Sequence, residues 1–354
     1  MGLGIDTGIG KYPTANISLL PVGISGYGFY VPENCVDNQE LETLVETSDA
    51  WIREKIGIRT RHIATDDQAL SDLCIEASRK AIENAGLGPG DIDVLVLTGQ
   101  NHDYKAPATA NIVQHALGLR NIPAFDISIG CSGFIYGLSV ASKYVADGSA
   151  KNVLLVSGEI HSRMFSWQDR STCVFFADGA VAVVLSVEEA DFGLLSFDLG
   201  TDGSQAGAII VPAGGSRMPF SENSLRLQEE APHEIRAPVH VRMDGRAVYQ
   251  FAIQAFPRSV RASLAKLDCK TADLDFVIAH QANVNIIREG MQQLGLPMSK
   301  TYMNIERYGN CSSASIPIAM AEAADLGLIR RGDLVAFVGF GVGLSWGAVI
   351  VRWS

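Results

Sequence analysis

Short apolar runs rich in β-branched residues recur along the chain. They are VGISGYGFYVP from Val22, DVLVLTGQ from Asp93, AFDISIG from Ala124, NVLLVSGE from Asn152 and FFADGAVAVVLSV from Phe175, then DFVIAHQ from Asp275, DLVAFVGFG from Asp333 and SWGAVIVRW from Ser345. Between them lie stretches with helical spacing of apolar positions: LSDLCIEASRKAIENAG from Leu70, SGFIYGLSVASKYVADG from Ser132, AVYQFAIQAFPRSVRASLAKL from Ala247 and SIPIAMAEAADLG from Ser315. Several begin after Ser or Asp and end at Gly, the residues that satisfy helix ends. Strands alternating with helices predict an α/β fold with helices laid on mixed sheets.

The order of features also repeats. In each half a strand ends in a polar or reactive residue, a helix follows, and a late Gly-rich strand closes the unit: FADGAVAVVLSV in the first, GFGVGLSWGAVIVRW in the second. A duplicated core is expected, with halves at 19–190 and 191–354 behind a polar, Gly-rich N-terminal extension at 1–18. No low-complexity linker separates the halves, so they share one interface. Residues 212–239, rich in Pro, Ser, Glu and Arg, form the longest irregular stretch, the kind that serves as a lid or binding loop.

Composition narrows the function. The 354 residues are 47% hydrophobic and 19% charged, enough to bury a large core. No apolar run approaches the roughly 20 uncharged residues of a bilayer span, and the N-terminus lacks a basic leader, so no membrane partner and a cytoplasmic location are expected. A net charge of -11 without a basic stripe excludes a nucleic-acid partner. Six cysteines stand without CxxC pairs or zinc-like His spacing, which excludes a structural metal and a disulfide framework.

Three positions can carry chemistry. Cys131 sits between Gly130 and Gly133, where a strand turns into a helix, so helix-end amides could stabilise its thiolate. On this stretch alone a nucleophile and a buried packing thiol stand level. His280 ends a strand, with Gln281 and Asn283 adding polar groups to the turn, although a lone strand-end His is more often structural. Asn310 leads a Ser-rich turn into a helix, where a cap is the plainer reading. Taken together they suit a thioester reaction: Cys takes an acyl group while His and Asn donate hydrogen bonds to an enolate oxygen.

With these residues in place, the chain resembles the β-ketoacyl-acyl-carrier-protein synthase III enzymes, initiating condensing enzymes of the thiolase superfamily. The matching motifs are TSDAWIREKIGIRTRHIA at 47–64, GCSGF around Cys131, FADGAVAVVL at 176–185, AHQANVNII at 279–287, YGNCSSASIPIA at 308–319 and GFGVGLSWGAVIVRW at 339–353. They run in family order over nearly the whole chain after about residue 20. The resemblance implies a thiolase-like five-layered αβαβα fold, a homodimer and a ping-pong condensation. Its substrates would be an acyl-CoA and a malonyl or β-ketoacyl thioester, with no cofactor and no metal, and an acyl carrier protein is a further candidate partner.

The resemblance also implies roles. Cys131 would be acylated, with its amide and that of Val342 holding the carbonyl oxygen. His280 and Asn310 would stabilise the oxyanion of decarboxylation, and Phe340, Gly341 and Gly343 would support the site. Trp51 and Arg170 would sandwich the CoA adenine, with Thr47, Lys55 and Asn283 near that entrance. Phe176 and Ala106 would bound the acyl group, Ala106 from across the dimer.

Four departures from the family pattern stand out, and the last two point to specialised metabolism, with housekeeping fatty-acid initiation as the alternative. Val342 replaces a glycine. Ala106 replaces a bulky aromatic, which suggests a roomier pocket. Carrier-docking positions read Gln250, Asn285, Gln292 and Gln293 instead of basic residues, with Arg288, Arg258 or Arg261 as partial replacements. The segment 212–239 is long. A non-decarboxylative acyltransferase of the same fold is a further alternative.

Overall fold

The structure, a computed structural model, describes residues 19–354; the extension expected at 1–18 lies outside the described residues. Five strands form the first sheet: β1 Val22–Tyr30, β2 Val94–Thr98, β3 Ala124–Ile127, β4 Asn152–Ile160 and β5 Asp178–Val187, in the order β1-β5-β4-β2-β3. Four form the second: β6 Gly193–Thr201, β7 Phe276–Ala279, β8 Leu334–Gly341 and β9 Ser345–Arg352, in the order β6-β9-β8-β7. In each sheet the first strand pairs antiparallel with the last, the last antiparallel with the one before it, and that one parallel with an earlier strand. The first sheet continues through the parallel pair β2 and β3, while the second has at that place a single parallel bridge from Val277 to Thr301. The repeat read in the sequence is therefore a repeat of topology.

Helices α1 Asp49–Lys55, α2 Leu70–Asn84, α3 Thr109–Ala116, α4 Gly133–Ala146, α5 Gly245–Ala265, α6 Val284–Leu294 and α7 Ser315–Asp325 complete the frame. Helices α4 and α7 touch both sheets, α2 and α3 cover the outer face of the first, and α5 covers the outer face of the second with α6 beside it. The result is five layers, αβαβα. Residue alternation explains why. Along β5, Val183 and Leu185 enter the central core with Phe134 and Leu138 of α4 and Ile316 and Met320 of α7, while Ala182 and Val184 face Leu73 and Ala77 of α2. The second outer core joins Phe256 and Val260 of α5, Met291 of α6 and Val338 and Ile350 of the sheet.

Two expectations need correction. Strand β6 falls just past the expected boundary and was not foreseen. Its burial does not alternate: only Gly193 and Ser196 are buried and the rest are half-buried or exposed, because β6 is the edge strand of its sheet, so no period-2 apolar pattern marks it. The segment 212–239 is not irregular throughout: it carries a short 3-10 turn Glu222–Leu225 and a hairpin of Gln228–Ala231 against Glu234–Arg236. Its strands are polar because they lie on the surface, which hid them from a search for apolar alternation.

Candidate active site

The central helices α4 and α7 both start at one place. Cys131 precedes the first, behind Ser132 at the cap position, and Asn310 leads through the turn Ser312–Ala314 into the second. Cys131 is partly exposed, into a cavity. Its sulfur accepts from Ser312 Oγ at 3.4 Å, and the amides of Val342 and Cys131 itself also face it. The expectation of a helix-stabilised thiolate meets an opposing effect. Burial pushes the Cys131 thiol up to about 11, and the hydrogen bonds from Ser312 and the two amides offset only part of that desolvation.

The loop after β8 closes over the sulfur. A side chain at Gly341 would place its first carbon 2.9 Å from Cys131 Sγ and 2.7 Å from Cys131 Cβ, so only glycine fits. Gly343 has φ +133°, where other residues are strained. The unusual Val342 is accommodated by a glycine opposite: a Cβ at Gly130 would lie 2.0 Å from Val342 Cγ1. The valine methyl thus fills the space that glycine leaves at 130.

His280 follows β7 and is buried, with the Phe340 ring set edge-on at 5.6 Å. Its Nδ1 lies 2.7 Å from Ser315 Oγ, which also accepts from the Gln281 N–H at 3.2 Å. Among the described residues His280 Nδ1 is the acceptor open to the Ser315 hydroxyl proton. The imidazole proton then belongs on Nε2. Burial lowers the His280 pKa to about 3, so the ring is neutral near neutral pH and serves as an N–H donor.

Asn310 is buried and held at both backbone atoms: its N–H donates to Phe175 O, and its carbonyl accepts from Ala177 N–H, each at 3.0 Å. Its Oδ1 accepts from the Ser312 N–H at 2.9 Å, which leaves Nδ2 as the donor for a ligand. That bond holds Ser312 at φ +50°, a conformation that costs about 1–2 kcal/mol for a residue with a Cβ.

Cys131, His280, Asn310, Phe340, Gly341, Val342, Phe176 and Asn283 line one largely apolar cavity of about 140 Å³. Ala106 does not: it is exposed on a surface loop and takes no part in the wall of its own chain's cavity. Asn283 caps α6 by accepting from Asn285 N–H, and its Nδ2 donates to Lys55 O at 3.0 Å, tying the cavity wall to the entrance. Gln281 turns away from the site; its amide is spent on Ala279 O at 2.7 Å and on the Asn304 N–H. Lys55 is exposed and pairs with Glu54, and Thr47 is half-buried beside the start of α1.

Trp51 is set by Ser48, whose Oγ accepts from the Trp51 N–H at 3.2 Å. The Arg170 guanidinium lies 4.5 Å from the Trp51 ring centroid. A flat ring between them would need two contacts of about 3.5–4 Å each, so the pair is in direct contact here and must part to admit a base.

No sequence motif singles out Ser312, Ser315, Glu159 or His161. Glu159 is buried, accepts from the Gln100 and Asn101 N–H groups, and burial raises its pKa to about 7. The His161 ring lies 4.8 Å from that of Phe176, and burial lowers its pKa to about 4. The serines were visible in YGNCSSAS, but nothing in a sequence says which hydroxyl faces which ring. Among the described residues no cluster of three or more His, Cys, Asp or Glu is placed to hold a metal, and no helix is long and apolar enough to cross a membrane.

The duplicated five-layered fold, with a cysteine at the mouth of one central helix and an asparagine at the mouth of the other, defines a thiolase-type condensing enzyme, an acyltransferase. Comparison with known proteins narrows the class. Residues 264–353 match the model of the 3-oxoacyl-[acyl-carrier-protein] synthase III C-terminal domain, and residues 125–203 match that of 3-oxoacyl-[acyl-carrier-protein] synthase III. A protein from Fusobacterium nucleatum named beta-ketoacyl-[acyl-carrier-protein] synthase III is 43% identical over 94% of this chain and 99% of its own. The crystal structure of 3-oxoacyl-[acyl-carrier-protein] synthase III from Aquifex aeolicus is 37% identical, with a TM-score of 0.83 over 94% of this chain and all of that one. The priming β-ketosynthase of the R1128 polyketide pathway is 29% identical, with a TM-score of 0.85 over 95% of this chain and 98% of its own. The chain belongs to the β-ketoacyl-[acyl-carrier-protein] synthase III family.

Proposed function

We propose that this chain condenses an acyl group, delivered by acyl-CoA to Cys131, with malonyl-acyl-carrier-protein, and so initiates fatty-acid synthesis. The observation that carries it is that Cys131, His280 and Asn310 line one apolar cavity, with His280 Nδ1 against Ser315 Oγ and Asn310 Oδ1 engaged by the Ser312 N–H, an arrangement that suits Nε2 and Nδ2 as the donors toward a ligand. In the first half-reaction the Cys131 sulfur attacks the thioester carbonyl. The acyl–sulfur bond of CoA breaks, CoA leaves as its thiol with the Cys131 proton, and the amides of Cys131 and Val342 hold the oxyanion. In the second, the malonyl C–C bond breaks to release CO2, and its electron pair forms an enolate whose oxygen takes hydrogen bonds from His280 and Asn310. The α-carbon attacks the acyl group, the bond to Cys131 breaks, and the thiolate takes a proton from solvent.

A neutral His280 suits this role: it donates through Nε2 without placing a buried cation beside the developing charge. The apolar cavity favours CO2 over the malonate carboxylate, because desolvation penalises the ion. The cavity of about 140 Å³ is walled largely by apolar side chains, which suits an acyl chain.

The relatives named for the carrier-protein reaction favour initiation over the specialised reading suggested by Gln250, Asn285, Gln292 and Gln293 and by the segment 212–239. The polyketide priming enzyme keeps the specialised reading as the second one. Where α6 meets α1, Arg53, Arg59 and Arg288 line an open hollow together with Asp49, Glu54 and Glu306; Arg53 pairs with Asp49 and Arg59 with Glu306, which leaves Arg288 as the arginine of the three without an ion pair among the described residues and so the candidate for carrier docking. The test is a competition between malonyl-acyl-carrier-protein and malonyl-CoA after acylation with acetyl-CoA, butyryl-CoA or octanoyl-CoA. Initiation predicts at least about tenfold higher kcat/KM for the carrier-bound extender and for the two short donors. Preference for malonyl-CoA or octanoyl-CoA would contradict it.

A further inference from the structure

The hairpin within 212–239 is not used by the reaction above, yet it is built into the mouth of the site. It lies against the stretch that carries Arg170: Ile235 N–H donates to Gln168 O at 3.3 Å, Arg170 N–H donates to His233 O at 3.0 Å, and Asp169 and Glu234 form an antiparallel bridge. In effect the hairpin adds a strand to residues 168–170. At its turn, His233 (φ +66°) places Nε2 3.1 Å from Glu46 Oε2, one residue before Thr47. The hairpin therefore touches both lips of the entrance, that of Arg170 and that of Trp51.

Arg236 locks this arrangement and is only 8% exposed. Its Nη1 donates to Asp169 Oδ2 at 3.0 Å and to Ser171 Oγ at 3.2 Å, its Nε to Glu230 Oε2 at 2.9 Å, and its Nη2 to Glu234 Oε2 at 2.9 Å. Asp169 is fully buried and also accepts from the Ser171 N–H and hydroxyl and from Thr172 Oγ1. Charges so far from water persist only when their hydrogen-bonding capacity is filled, which makes Asp169 and Arg236 one rigid unit. Arg170 is the next residue in the chain. Its backbone is fixed by that unit and by His233, while its guanidinium is free to leave the Trp51 face by side-chain rotation alone.

We propose that Arg236 is a positioning residue that, through Asp169 and the hairpin, fixes the backbone of Arg170 and so sets the affinity for the nucleotide end of CoA. The proposal rests on the reading of Trp51 and Arg170 as the clamp for the CoA adenine. Fixing Arg170 in advance removes backbone freedom that binding would otherwise have to freeze. The hairpin contributes to donor recognition without touching the reacting atoms.

The test uses full-length protein and two probes: CoA, titrated by calorimetry, and S-acetyl-pantetheine, a donor without a nucleotide, used to acylate Cys131. CoA is expected to bind about tenfold more weakly to Arg236→Ala and to Arg170→Ala, and about threefold more weakly to Arg236→Lys, which keeps the charge but loses the fork. Acylation of the Arg236 variants by S-acetyl-pantetheine is expected to stay within about twofold of the parent. Unchanged CoA affinity in Arg236→Ala, with weakened affinity in Arg170→Ala, overturns the positioning role while leaving the clamp. Unchanged affinity in both variants overturns the clamp and the positioning role with it. A fall in pantetheine-driven acylation in step with CoA affinity assigns the hairpin a general structural role and also overturns the proposal. If Arg236→Ala is recovered only unfolded, Arg236→Lys decides by the same criteria.

Discussion

At Cys131 two influences oppose each other. The helix end, the amides of Val342 and Cys131 and the Ser312 hydroxyl favour a thiolate, while the apolar cavity disfavours any charge; burial prevails and holds the thiol near 11. The sign gives a direct expectation. Below that value the thiolate fraction rises tenfold per pH unit, so inactivation by iodoacetamide should accelerate by about that factor from pH 7 to 8 and again from 8 to 9. A plateau with a midpoint near pH 7 would show that the helix end prevails instead. Taken singly, Cys131, His280 and Asn310 did not stand out from structural readings; only the three together, with the family motifs around them, marked them as one candidate site, and the fold brings them onto one cavity. Ser315, which fixes the His280 tautomer, and Ser312, which faces the sulfur, were not legible, since their role depends on a contact between distant segments.

At the scale of elements, the site is a meeting of loop ends. The loop after β8 fits over Cys131 only because residue 341 has no side chain. Gly341→Ala should therefore keep its fold, with a melting temperature within about 5 °C of the parent, yet acylate at least about 100-fold more slowly, because the added methyl occupies the approach to the sulfur. Intact-mass measurement of acylation against time reads both rate and extent; a rate within about threefold of the parent would contradict the contact. Strands β1 to β5 and β7 to β9 were legible as short apolar runs and helices α2, α4, α5 and α7 from helical spacing, since each packs against a core. The hairpin at 228–236 was not. Its strands bury little apolar surface and are tied down by the Arg236 ion pairs, which no apolar pattern announces.

For the whole molecule, duplication is the feature that organises the chemistry. Two halves with one strand order place two central helices side by side with their starts together, so one half supplies the sulfur and the other supplies His280 and Asn310. The sequence repeat indicated this only loosely, because the second half reduces its fifth strand to one bridge and inserts residues 212–239. Under the proposed function Cys131 carries the acyl group, and His280 and Asn310 act only afterwards, on the enolate. Intact-mass spectrometry after mixing with acetyl-CoA, followed by a chase with malonyl-acyl-carrier-protein, tests it most directly. The parent should gain one acetyl group and lose it in the chase, Cys131→Ala should never gain it, and His280→Ala and Asn310→Ala should gain it and keep it. An adduct on Cys131→Ala, or a chase that clears the adduct from His280→Ala or Asn310→Ala at the parent rate, would contradict the account.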